Sequence, residues 1–94
     1  MNKKAKDAYD KLIASAQRRK RSLPMYEKHH ILPKFAGGTN LKTNLVLLSP
    51  RNHYRAHKLL ARVYAGTCYE RSAAFAIVGV AVAVAFVLVA MLRS

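Results

Sequence analysis

All four histidines of this chain fall in two tight clusters: His29 and His30 are adjacent, and His53 and His57 stand four residues apart. That grouping constrains the fold because the chain is short. At 94 residues, with the last twenty-odd of different character, the globular part removes too little surface from water to be secure without a staple. Cys68 is the only cysteine, so no disulfide can form within the chain. A metal or a partner remains, and clustered imidazoles make a metal the first expectation.

Periodicity places these clusters on different elements. Ala5, Tyr9, Leu12, Ile13 and Ala16 recur at three- and four-residue steps, which predicts an amphipathic helix within a basic N-terminal segment, 1–24. Its other face carries Lys3, Lys6, Lys11 and the run from Gln17 to Arg21, which can lie against phosphates or simply be solvated; Pro24 ends the helical geometry. Met25 to Ile31 reads as a strand stopped by Pro33, and the Gly37-Gly38 pair closes a loop over 33–43 by admitting positive φ. Asn44 to Ser49 is a second strand, and Ser49-Pro50 is a strong helix start, the serine at the N-cap and the proline at the first helical position. That helix should run to about Tyr64 with Gly66 as its stop, setting His53 and His57 on one face, one above the other. Alternation along a strand sends His29 and His30 to opposite faces, so one can ligate while the other serves a different target. A helical H-x-x-x-H pair with a third ligand from a strand leaves coordination positions open, as a catalytic metal needs.

The string from Glu27 to His57, EKHHILPKFAGGTNLKTNLVLLSPRNHYRAH, resembles the HNH endonucleases, most closely the phage-coded ones and the nuclease domains of DNase colicins. It joins H-H-I-x-P, the Gly-Gly loop, N-L-V-x-L and H-x-x-x-H in the family's order over about a third of the chain. The fold this resemblance implies is a small α+β unit, a ββα-metal finger over 25–66, joined by a linker over 67–72 to a hydrophobic segment over 73–92. It implies a metal-dependent endonuclease in which His30 is the general base that deprotonates a water attacking the phosphodiester, and Asn44 ties the loop down and helps orient that base. His29, His53 and His57 are then the metal ligands. Three nitrogen ligands favour Zn²⁺, Ni²⁺ or a similar ion, whereas two tolerate Mg²⁺ or Mn²⁺ with water filling the shell. The chain lacks the CxxC pairs that brace many relatives, so the N-terminal helix and the following chain must support the finger. The alternative from another class is a catalytically silent, metal-stapled module that binds nucleic acid, tethered to a membrane.

Seventeen Lys and Arg against four Asp and Glu leave a formal charge of +13, a field that gathers polyanions, either nucleic acid or an anionic membrane face. Lys28, Lys34, Lys42, Arg51, Arg55 and Lys58 surround the motif and are the expected DNA contacts. Such contacts go to phosphates, and no separate recognition module is evident, so weak sequence preference is expected rather than site-specific homing. Residues 73–92 carry no charge and no hydrogen-bonding side chain. As a helix they would be about 30 Å long, the thickness of a bilayer core, which makes them a candidate membrane anchor. The Val and Ala alternation from Gly79 to Ala85 also has a strand's period. The charge bias around the anchor, the charged opening MNKKAKDAYDKL and the single Cys68 suit a cytoplasmic domain held at the inner membrane face. Cys68 would sit close to that face, as an acylation site or a plain buried thiol.

Overall fold

The computed structural model describes residues 2–19 and 23–93, and in the last helix all side chains except those of residues 83, 84, 86–88, 90 and 91. Its elements run α1 (Lys3–Arg18), β1 (Glu27–His30), β2 (Leu45–Leu48), α2 (Pro50–Val63) and α3 (Glu70–Arg93), with single 3₁₀ turns at Lys34–Ala36 and Lys42–Asn44 between the strands. The result is a small α+β fold with one two-stranded sheet and three helices.

Local signals set most boundaries. Asn2 Oδ1 accepts the Ala5 amide at 3.1 Å and starts α1, and Ser49 Oγ accepts the Asn52 amide at 3.2 Å, with Pro50 next in line, to start α2. Beyond α2, Gly66 takes φ 79°, the left-handed turn expected of it. The Gly-Gly pair divides its labour. Only Gly37 has positive φ, at 98°. Gly38 is needed for space, because a Cβ there would overlap the Leu32 carbonyl. α1 ends at Arg18, and Arg19 turns back, donating from its guanidinium to the Leu47 carbonyl and lying 4.4 Å from the Tyr26 ring centroid. Arg19 therefore braces the sheet instead of joining a free basic face; Lys20, Arg21 and Ser22 lie outside the described residues.

The strands pair antiparallel, His29 opposite Val46 and His30 opposite Leu45. On β2 the side chains alternate, Val46 and Leu48 buried and Leu47 exposed. Those two meet Tyr9, Ile13 and Ala16 of α1 and Ala56, Leu59 and Leu60 of α2 in one core. β1 contributes a single buried side chain to that inner face, His29, at 1% exposure. The candidate site thus grows directly out of the core, which is why the core's own packing positions it.

α3 runs along α2, and its Ala73 and Val80 are buried. Phe35, Tyr64 and Tyr69, with ring centroids 5.5–5.9 Å apart, lock the inter-strand loop to the α2–α3 connection. Residues 73–92 are helical, which removes the strand reading of 79–85. Among the described residues no helix is long and apolar enough to cross a membrane, so the anchor expected over 73–92 finds no support. One edge of the segment packs on the domain, with Ala73 and Val80 buried, while Phe75, Val78, Val82, Val89 and Leu92 are exposed. Cys68 is exposed, and the buried-thiol expectation is corrected.

Candidate metal centre

Three imidazoles converge. His29 reaches inward from β1, and His53 and His57 face it from α2 one turn apart, with ring centroids 5.1 Å (His29–His53), 4.9 Å (His29–His57) and 4.9 Å (His53–His57) apart. One nitrogen from each lies within 4.8 Å of the others.

The hydrogen bonds behind the rings say which nitrogens are available. The Tyr9 hydroxyl is 2.7 Å from the Ile31 carbonyl and 2.7 Å from His29 Nε2. A carbonyl only accepts, so the single phenolic hydrogen goes to Ile31, and His29 must donate its Nε2–H to the Tyr9 oxygen. The His29 lone pair then sits on Nδ1, a buried atom without a hydrogen-bond partner. His53 donates Nδ1–H to the Glu27 carboxylate at 3.0 Å, which leaves its Nε2 for the cluster. His57 Nδ1 is also buried and unpartnered. Buried polar atoms are ordinarily satisfied, and two orphaned imidazole nitrogens in one cluster fit a divalent cation.

Electrostatics point the same way. Burial, then the neighbouring His57, His53 and His30 rings, pull the His29 pKa down to about 3. Burial, then His53 and His30, bring His57 down to about 4. Both rings are neutral at pH 7, with lone pairs free for a metal. Burial also raises the Tyr9 phenol well above its usual range, so it stays a hydroxyl and keeps its place in the relay.

His30 points to the opposite face of β1, as alternation requires, and its Nε2 is 2.8 Å from Asn40 Oδ1. With that oxygen accepting, Nε2 carries the hydrogen and Nδ1 the lone pair. Asn44 makes no hydrogen bond to the His30 ring. Its Oδ1 accepts the Leu32 amide at 2.8 Å, and its Nδ2 donates to the Leu32 and Thr39 carbonyls at 3.0 and 2.9 Å, tying down the loop that carries Asn40. Lys28 shares the His30 face of β1, while Lys34 and Lys42 open the two 3₁₀ turns. Arg51, Arg55 and Lys58 lie elsewhere, on the side of α2 turned toward α1.

Sequence reasoning did not find Tyr9, Glu27 or Asn40. Glu27 was within reach, since it shares His29's side of β1 by the period of two. Tyr9 sits in the apolar stripe of α1, and only the rule that a buried phenol seeks a partner hinted at more. Asn40 gave no local signal.

The chain is similar to segments of several curated proteins. It is 40% identical over 65 residues to "Probable mobile endonuclease C" of Enterobacteria phage T4, covering 66% of this chain and 31% of that protein. It is 58% identical over 38 residues to "Probable mobile endonuclease B" of the same phage, covering 40% of this chain and 14% of that protein. To "Probable mobile endonuclease E" it is 43% identical over 56 residues, 60% of this chain and 40% of that protein. The chain therefore spans less than half the length of these relatives. No protein-family model matches it, and no solved structure does.

Proposed function

We propose that this chain is an HNH-type, metal-dependent DNA endonuclease. The observation that carries the reading is the convergence of His29, His53 and His57 with two orphaned, buried nitrogens, while the adjacent His30 faces the other way. The similarity to proteins named mobile endonucleases supports it.

In this reading His29, His53 and His57 hold one divalent ion, and their all-nitrogen donor set favours Zn²⁺ or Ni²⁺ over Mg²⁺ or Mn²⁺. When bound, the ion supplies Lewis acidity, neutralising charge on the scissile phosphate and on the departing 3′ oxygen. Glu27 and Tyr9 orient two of the ligands through their outer nitrogens. His30 Nδ1 takes a proton from water as the water oxygen bonds to phosphorus; the P–O3′ bond breaks, leaving a 5′ phosphate and a 3′ hydroxyl protonated from solvent. Asn40 fixes the His30 ring, and Asn44 fixes the Asn40 loop. Lys28, Lys34 and Lys42 hold the backbone around the scissile phosphate. A positioned general base contributes about 10²- to 10⁴-fold.

The test is plasmid nicking by the full chain with Zn²⁺, Ni²⁺, Mg²⁺ or Mn²⁺ added in turn. His30→Ala should lower cleavage by roughly 10²-fold or more while bound metal, read by elemental analysis, is retained. A His30→Ala protein as active as the parent overturns the base assignment. A parent that binds metal and DNA but never nicks returns the chain to the silent-module alternative.

A further inference from the structure

We propose that the groove between α1 and α2 is a second binding surface for the nucleic-acid backbone, one that grips DNA away from the metal centre. The groove is about 570 Å³, and its wall includes Lys4, Arg51, Tyr54, Arg55, Lys58 and Arg62. Five cations and no acidic residue line it. Among the described residues, none of the five is paired with a carboxylate; the ion pairs are Lys6–Asp10 and His53–Glu27.

The arrangement is a track rather than a patch. Arg51, Arg55, Lys58 and Arg62 follow one another at steps of four, three and four along α2. At 1.5 Å per residue this stripe is roughly 16 Å long, the axial run of about five phosphates of one DNA strand. A small anion would need one or two of these cations. A row spaced over that length suits a polymer of phosphates, and Tyr54 adds a hydroxyl donor beside Lys58, whose Nζ is 5.6 Å from the Tyr54 ring centroid.

Helix geometry separates the track from the candidate metal site. At about 100° per residue, the four cations lie roughly 140–180° round α2 from His53 and 100–160° from His57. One helix therefore presents its histidines to the ion and its arginines to a different stretch of DNA. Arg51, Arg55 and Lys58 accordingly do not hold the scissile phosphate; they hold a flanking segment. The proposal takes its partner from the nuclease reading above but does not depend on chemistry at His30.

The experiment measures anisotropy of a fluorescent 20-base-pair duplex with the full-length, Zn²⁺-loaded His30→Ala chain, titrated with KCl. Adding Arg55→Gln and Arg62→Gln should weaken binding about ten-fold and lower the salt slope by roughly two. Adding Lys11→Gln and Arg71→Gln, equal in charge but outside the groove, should cost no more than about two-fold. Arg55→Lys with Arg62→Lys should restore most of the affinity, which guards against misfolding as the cause. Equal weakening by the two Gln pairs overturns the proposal in favour of a diffuse field. So does groove-dependent capture of phosphatidylglycerol vesicles without groove-dependent DNA binding. A parent chain that fails to nick plasmid while the groove pair still governs duplex binding sinks the nuclease reading and leaves this one standing; nicking with groove-independent binding does the reverse.

Discussion

Removing one oxygen from Tyr9 tests how far the core controls the candidate metal site. Tyr9 is 2% exposed, and phenylalanine keeps its ring and packing, so Tyr9→Phe deletes only the hydroxyl that lies 2.7 Å from both His29 Nε2 and the Ile31 carbonyl. The buried His29 nitrogen and the half-buried Ile31 carbonyl then lose this partner. Each such orphan costs about 1–3 kcal/mol, so the expected loss is about 2–4 kcal/mol after the gain from no longer burying a hydroxyl. That is a large share of the 5–15 kcal/mol on which small domains run. The variant also frees His29 to place its hydrogen on Nδ1, the atom needed for the ion, and metal affinity should fall about 10- to 100-fold. Urea unfolding of the chelator-treated protein reads the first effect, and competition against a chromophoric chelator reads the second. Nitrogen NMR of the parent should find the His29 hydrogen on Nε2. A Tyr9→Phe protein within about 0.5 kcal/mol of the parent and with unchanged metal affinity would refute the relay, since neither the orphan cost nor the tautomer argument leaves room for that result.

Two further expectations follow from the same contacts. The unfolded chain protonates His29 and His57 near 6.5, whereas the folded chain does so only near 3 and 4. Between about 6.5 and 4 the unfolded state therefore holds more protons, and metal-free stability should fall as pH falls, by up to roughly 1.4 kcal/mol per pH unit for each histidine; a flat urea midpoint across that window contradicts the buried, neutral cluster. Asn44→Ala removes three hydrogen bonds between the loop and the sheet end and should cost about 2–4 kcal/mol. Amide exchange at Leu32 should then quicken well beyond the global change, and unaltered protection there would dismiss the tie.

Local rules explain why much of the framework was legible in advance. Ser49-Pro50 starts α2 by a cap that involves only its own first turn. The apolar steps of α1 name its buried face, since Ala5, Tyr9, Ile13 and Ala16 are the buried residues. The period of two sends His29 inward and His30 outward, and the helical period stacks His53 on His57. Asn44 bonds to the Leu32 and Thr39 backbone, whereas the side chain that touches His30 is that of Asn40, which no local pattern named.

What the amino-acid string determined by itself, then, depends on neighbours within a turn or a strand pair: α1, α2 and the two strands, the sidedness of each histidine and the excess of positive charge. Tertiary structure alone decided which distant groups meet. Tyr9 finds His29 across 20 residues, and Glu27 finds His53 across 26. α3 lies along α2, and α1 closes a basic groove against the reverse side of the helix that carries two of the histidines. Periodicity encodes only the direction in which a side chain leaves its own backbone. The partner it meets is set by how helices and sheet pack over one shared core, and no local spacing records that.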